Sequence, residues 1–262
     1  VGNENRGSQI LAPAWSAQSS GVGVFLNSVK AVNANVAWAC GDKGTVLRTL
    51  DGGTTWTQTS PLVSSLSCYN IEALDANTAW VIALNSTLPI SVRYKTTNGG
   101  STWTQQLTSS DPTTFYDAVR FYDANNGILL GDPEGGYFTI YTTTNGGNSW
   151  SRTSSTSIPS PLSLEFGLTN NLAISGSSAW FSTVNNSGGT PRVLRSTDRG
   201  KTWVVGTSVS VLALGSELSS IAFASDSLGL VQGINGNMIR TTTAGRTWSA
   251  TIITGATVGG SV

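Results

Sequence analysis

The sequence predicts an all-β propeller of four-stranded antiparallel blades, and three observations predict it. A short motif ending in tryptophan recurs five times, similar apolar and turn-forming segments precede every copy, and no stretch keeps a helical period between caps. The copies are Thr49-Leu50-Asp51-Gly52-Gly53-Thr54-Thr55-Trp56, Thr96-Thr97-Asn98-Gly99-Gly100-Ser101-Thr102-Trp103, Thr143-Thr144-Asn145-Gly146-Gly147-Asn148-Ser149-Trp150, Ser196-Thr197-Asp198-Arg199-Gly200-Lys201-Thr202-Trp203 and Thr241-Thr242-Thr243-Ala244-Gly245-Arg246-Thr247-Trp248. Their tryptophans lie 47, 47, 53 and 45 residues apart. A period of that length marks stacked units, each burying its apolar face on the next.

Each unit reads as four strands, A to D. Strand A is an apolar segment: Val29–Val32, Ile71–Leu74, Ala118–Phe121, Leu172–Ile174 and Ile221–Phe223. A turn rich in Asn, Asp and Ser follows, as in Asp75-Ala76-Asn77-Thr78. Strand B carries Ala37-Trp38, Ala79-Trp80, Gly127-Ile128, Ala179-Trp180 and Gly229-Leu230. Strand C runs into the motif, as in Val46-Leu47-Arg48-Thr49, and strand D starts at the motif tryptophan. The predicted blades cover about 29–59, 68–107, 116–153, 170–206 and 219–253 of a single domain spanning 1–262.

Within the motif, the Gly-Gly or Arg-Gly step supplies the positive φ that the C–D hairpin needs. Asp51, Asn98, Asn145 and Asp198 are placed to accept backbone N–H bonds in the turn. Trp56, Trp103, Trp150, Trp203 and Trp248 then pack between sheets. Thr243-Ala244-Gly245 lacks the Asx acceptor, which predicts the least rigid turn in the fifth copy. Residues 11–18, around Trp15, resemble an extra strand D ahead of the first blade. Either a further blade completes the ring, or five blades close it and this strand packs outside. Unpaired blade edges favour the first.

Fourteen basic and fourteen acidic side chains cancel. That leaves no cationic surplus for a nucleic-acid backbone. No run of 18 apolar residues is present, so no direct membrane insertion is expected. Histidine is absent, which removes Ser-His-Asp catalysis and His-based zinc. Two cysteines cannot make a four-thiolate site, and there is no EF-hand loop, so neither cofactor nor metal is expected. Cys40 and Cys68 fall in adjacent repeats and are read either as buried thiols or as a disulfide, with secretion favouring the bond. Few lysines and abundant Ser, Thr, Asn and Gly suit a secreted bacterial protein at the cell surface or outside it. Asn85-Ser86-Thr87 and Asn185-Asn186-Ser187 match the glycosylation sequon.

The five motif copies resemble the Asp-box, or BNR repeat, found in sialidases, xyloglucan-degrading hydrolases, sortilin-type receptors and photosystem II assembly factors. Asp123-Ala124-Asn125-Asn126-Gly127 and Gly131-Asp132-Pro133-Glu134-Gly135-Gly136 resemble secreted Bacteroidetes propellers, many of which carry a type IX sorting domain. The resemblance implies that function lies on the B–C and D–A loops, opposite the motif hairpins.

Glycoside hydrolysis needs two carboxylic groups facing one cleft. Asp132 and Glu134 share a loop, and Asp42, Asp111, Asp117 and Glu165 are further candidates. Turn chemistry alone explains the Asp132 loop. The sialidase Arg-Ile-Pro signature is absent. Arg48, Lys95, Arg195 and Arg240 recur at one motif position. They read either as a ring that binds an anionic partner or as strand C side chains whose stems pack on the next blade. The leading functional reading is a non-catalytic binding or display scaffold for protein or carbohydrate partners. A glycoside hydrolase and an assembly factor for a membrane complex are the alternatives.

Overall fold

The computed structural model describes residues 16–59, 62, 64–85, 91–108, 115–206, 218–234 and 237–251. Blade 1 holds β1 (Leu26–Ala31), β2 (Ala37–Gly41), β3 (Val46–Thr49) and β4 (Thr57–Gln58). Blade 2 holds β5 (Leu66–Ala73), β6 (Ala79–Asn85), β7 (Ser91–Thr96) and β8 (Thr104–Thr108). Blade 3 is β9 (Tyr116–Phe121), β10 (Gly127–Glu134), β11 (Tyr137–Thr143) and β12 (Ser151–Arg152). A small ribbon follows, pairing β13 (Glu165–Phe166) with β16 (Val184–Asn185). Blade 4 comprises β14 (Leu172–Ser175), β15 (Ser178–Ser182), β17 (Val193–Ser196) and β18 (Val204–Val205). Blade 5 comprises β19 (Leu218–Phe223), β20 (Gly229–Gly233), β21 (Met238–Thr241) and β22 (Ser249–Thr251).

Every blade is antiparallel and ordered as in the sequence. The first strands touch in succession, β1 on β5, β5 on β9, β9 on β14 and β14 on β19, so strand A of each sheet lines the axis. The chain is an all-β propeller of five blades, with one short 3-10 turn at Ser155–Ser157.

Two side chains fix each motif hairpin. The first-position hydroxyl of Thr49, Thr96, Thr143, Ser196 or Thr241 accepts the N–H of the second glycine at 2.8–2.9 Å. The third-position oxygen of Asp51, Asn98, Asn145 or Asp198 accepts the N–H four residues on at 2.9–3.0 Å. The fifth turn corrects the expectation of a missing acceptor, because the Thr243 hydroxyl accepts the Thr247 N–H at 2.9 Å. The hairpin also donates to the A–B turn, from Gly52 to the Asn35 carbonyl and at the same place in the other four blades.

Apolar stacking joins the blades. Trp80 stacks on Phe121 and Trp180 on Phe223, both at 3.7 Å, while Trp38 meets Trp103 edge-on at 6.2 Å. The two phenylalanines lie over Gly127 and Gly229, where a Cβ has no room. Blades 1 and 2 carry Ala31 opposite Ala37 and Ala73 opposite Ala79 instead, so ring size on strand A trades against side-chain size on strand B. A disulfide between Cys40 and Cys68, Cα atoms 5.6 Å apart, staples blade 1 to blade 2.

Candidate functional site

Alternating strand direction collects the A–B turns and motif hairpins at one end and the B–C and D–A loops at the other. The loop end carries large exposed apolar side chains: Phe25 at 79 %, Ile234 at 61 % and Leu164 at 56 %, with Leu162 nearby in sequence. At the motif end, Leu50 is exposed at 53 %, and Val204, directly after the motif tryptophan Trp203, at 52 %.

The carboxylates at the loop end separate rather than converge on a cleft. Strand A bulges at one place in four blades, re-aiming Asn27, Tyr69, Asp117 and Ser219. In blade 1 the bulge lets the Asn27 amide donate to Asp42 Oδ1 at 3.0 Å. The same positions in blade 3 are Asp117 and Asp132. Asp132 accepts the Gly167 N–H at 3.1 Å, and Asp117 packs against the Gly167 Cα so closely that a Cβ has no room. Asp117 is 2 % exposed. Burial first, and Asp132 second, push its carboxyl well above the usual range. Burial also raises Asp132, to about 6, against the opposing Gly167 N–H.

The loop holding Asp132 and Glu134 differs from a simple turn. The strand continues to Glu134, and Gly135 and Gly136, at φ 67° and 87°, make a two-residue hairpin. Glu134 pairs with Arg152 at 3.4 Å, so the two acids of this loop serve different neighbours. Glu165 is buried against the Arg192 guanidinium and also accepts from the Thr183 hydroxyl. Asp111 and Trp15 lie outside the described residues, as does most of the loop from 107 to 116 and that from 206 to 219. Asn185 is buried, and its amide oxygen accepts from the Ser187 N–H and hydroxyl, so that sequon is folded into its own turn. In the other sequon, Ser86 and Thr87 are outside the described residues.

The recurrent cations act mainly between blades. Arg48 donates to the Ala76 carbonyl at 2.7 Å and sits over Trp38; Lys95 donates to the Gly146 carbonyl at 2.8 Å and sits over Trp80. Those two charges are therefore engaged with the next blade and not gathered in a shared anion site. Arg195 lies near Arg246, and Arg240 is exposed on blade 5.

At the axis the structure assembles a polar cluster from remote residues. Glu72 is buried between Lys30, at 2.8 Å, and Arg120, at 3.6 Å, linking blades 1, 2 and 3. Asn170, just before blade 4, takes the Ser28 hydroxyl at 3.1 Å and the Asn70 amide, and donates to the Tyr69 carbonyl at 2.9 Å. A cavity of about 450 Å³ adjoins this cluster, lined in part by Asn27, Ser28, Trp56, Arg120 and Asn170. Sequence reading missed Glu72, Arg120 and Asn170. Sequence reading named Asp117 and Asp132 as separate candidates, and the strand A bulges show them to be equivalent to Asn27 and Asp42 of blade 1.

No protein-family model matches the chain, and no curated protein matches it. Solved structures do. A GH74 enzyme of Niastella koreensis superposes with a TM-score of 0.62 at 16 % identity, over 86 % of this chain and 38 % of that one. The Hadza microbial sialidase Hz136 gives 0.54 at 14 % identity, over 81 % of this chain and 54 % of that one. YCF48 from Cyanidioschyzon merolae gives 0.51 at 16 % identity, over 87 % and 85 % of the two chains. This chain thus spans about a third to a half of the two enzymes. Identities this low carry the fold alone, and the fold they share with these five sheets is the β-propeller.

Proposed function

We propose that this chain is a non-catalytic, exported scaffold that presents its loop end to a protein partner. The observation that carries the reading is the asymmetry of the two ends. Exposed Phe25, Leu164 and Ile234 all lie in loops of the loop end, whereas hydrogen-bonded Asx and hydroxyl turns cover the motif end. Exposed apolar side chains gathered at one end mark a contact surface. Asp117 is buried against Gly167, and half-buried Asp132 accepts the Gly167 N–H, which suits structure better than attack on a glycosidic bond. The motif's hydrogen bonds support reading the five copies as Asp-boxes, and the disulfide supports an oxidising compartment.

The test has two arms. Incubation with xyloglucan and with sialyllactose is expected to release nothing above the enzyme-free level. Turnover that disappears in Asp132→Asn would replace the scaffold with a hydrolase. In the second arm, the protein is cross-linked to a cell-surface fraction and its partners are identified by mass spectrometry. Phe25→Ser combined with Leu164→Ser is expected to cut capture of a protein partner at least tenfold. Undiminished capture, or capture of glycan alone, would remove the protein-binding loop end from the proposal.

A further inference from the structure

The joint between blades 3 and 4 is built differently from its neighbours. In blades 1, 2 and 4 a strand B tryptophan pairs across the sheet with a strand C cation: Trp38 with Arg48, Trp80 with Lys95 and Trp180 with Arg195. The tryptophans reach the following blade, and Arg48 and Lys95 donate to its carbonyls. Blade 3 carries Ile128 and Thr142 at these places. Their methyl groups lie against Gly200 of blade 4, as Trp80 lies against Gly147 and Trp180 against Gly245. An isoleucine and a threonine fill less space than an indole and a long cation. A cavity of about 260 Å³ lies in this joint at the motif end, lined by Asn126, Thr142 and Thr144 of blade 3 and by Arg199 and Lys201 of blade 4.

Blade 4 thus brings cations into the joint from the opposite side. Arg199 stands where three other motif copies have Gly52, Gly99 and Gly146, and it keeps their left-handed backbone at φ 62°. That conformation is free for glycine and strained for a long side chain. Ala244 holds the same φ in the fifth copy, so the strain alone marks nothing; the cavity beside Arg199 gives it meaning. One terminal nitrogen of Arg199 donates to Asp123 Oδ2 at 3.2 Å, across the joint. Its Nε and Nη2, the Lys201 ammonium and the hydroxyls of Thr142 and Thr144 have no protein partner among the described residues.

The two carboxylates nearby are occupied. Asp198 accepts from the Ser196 hydroxyl, the N–H groups of Lys201 and Thr202 and the Thr202 hydroxyl, all within its own hairpin. Asp123 accepts from Asn125 and Asn126 in its own turn, besides Arg199. Two cations and two carboxylates balance, so the cavity selects by its unpartnered donors and not by a net field.

We propose that this cavity binds a sulfate or phosphate group, free or carried as an ester on a sugar. The edge of Arg199 formed by Nε and Nη2 matches two oxygens of such a group, in the fork geometry that guanidinium gives to oxyanions. Lys201, Thr142 and Thr144 supply donors for the rest. A tetrahedral group has oxygens for both walls, whereas the two oxygens of a carboxylate share one plane. The volume is several times the roughly 30 Å³ of a liquid water, which leaves room for an ester carbon beside the anion. The site lies at the end opposite the exposed loops, so it stands or falls independently of the scaffold reading.

Amide NMR spectra of the 262-residue chain test the proposal, with titrations of sodium sulfate, sodium phosphate, galactose sulfate and mannose phosphate. Sodium chloride holds the ionic strength constant, because exposed charges respond to salt alone. Saturable shifts at residues 126–128, 142–144 and 199–201 are expected in the millimolar range. Tighter binding of the sugar esters assigns the site to an ester, and equal binding assigns it to the free ion. Arg199→Gly restores the glycine of the other copies, so it is expected to keep the parent's cooperative melting. It should weaken binding by about tenfold or more, the worth of one charge-assisted hydrogen bond. Thr142→Arg fills the cavity with the cation that other blades carry at that place, and should weaken binding although it adds a positive charge. Four probes without a saturable shift overturn the proposal, as do shifts that sodium chloride reproduces. Equal binding of sodium acetate overturns the preference for a tetrahedral group. Binding that survives Arg199→Gly, or tightens in Thr142→Arg, would mean attraction to surface charge and no site in the cavity.

Discussion

The first-position hydroxyl of each motif accepts a buried glycine N–H, and no other described group takes that N–H. Thr143→Val keeps the shape and removes the acceptor at Gly147, so it should cost about 1–2 kcal/mol in urea unfolding, the penalty of a buried unmet donor. Thr243→Val should cost about as much as Asn145→Ala, on the order of 1 kcal/mol, because the Thr243 hydroxyl does the Asx residue's work. A Thr243→Val chain as stable as the parent would show that the fifth turn does not rest on that bond. Asp51 shows the same chemistry through its proton. Donation from the Thr55 hydroxyl and N–H, and from Thr49, holds its carboxyl down at about 2. That contribution is present above the ordinary aspartate range and is lost as pH falls towards 2. The sequence displayed the Asx position plainly, because Asp and Asn at a Gly-Gly step have few other uses. The hydroxyl was hidden among many Ser and Thr residues, and only the hydrogen bond distinguishes it.

Between elements, the joint of blades 2 and 3 contains both a face-to-face aromatic stack and an anomalous contact. Trp80→Ala removes the stack on Phe121 and should cost about 3–5 kcal/mol. Arg93, on β7, is buried in the same joint against Tyr116 at 4.5 Å, Trp150 at 5.3 Å and Tyr141 at 5.7 Å. None of its guanidinium nitrogens has a hydrogen-bond partner among the described residues, and burial pulls its pKa down to about 10. Cation–π attraction is worth about 2 kcal/mol at such a site, less than desolvating a charge costs. Arg93→Met should therefore raise the urea midpoint, and a lowered midpoint would show that the aromatic faces outweigh desolvation. The disulfide adds a covalent term to the neighbouring joint. Opening it by Cys40→Ser with Cys68→Ser should cost about 3.5 kcal/mol by the loop-entropy relation. Strand order and blade content were readable in the repeat because each element is local. The use of Arg48 and Lys95 was not, since a charge at a repeated position looks the same whether it meets solvent or the next blade's carbonyl.

Across the whole molecule, the axis is held by contacts that no local pattern encodes. Asn170 bonds to Ser28 and Asn70, 142 and 100 residues away, and so ties the entry to blade 4 onto blades 1 and 2. Sequence periodicity gives each blade's place in the order but not which polar side chains meet where the blades converge. The Asp117–Asp132 pair is different, because blade 1 supplies an internal control in Asn27 and Asp42. Both carboxyls of the pair have raised pKa values, so the folded chain binds more protons than the unfolded chain between about pH 4 and somewhat above pH 6. Stability should accordingly rise as pH falls from 7.5 towards 4.5. Asp117→Asn replaces a buried charge by the amide that blade 1 already uses, which supplies a donor to Asp132. At pH 7.5 it should stabilise the fold. It should also flatten the pH dependence. The mirror substitution, Asn27→Asp, should install the same clash beside Asp42, lowering stability at pH 7.5 and recovering it near pH 5. Urea midpoints of the parent and both variants across this range decide the matter. An Asp117→Asn chain that is less stable at pH 7.5, with the parent's pH slope intact, would mean that another group holds Asp117 ionised against burial and Asp132.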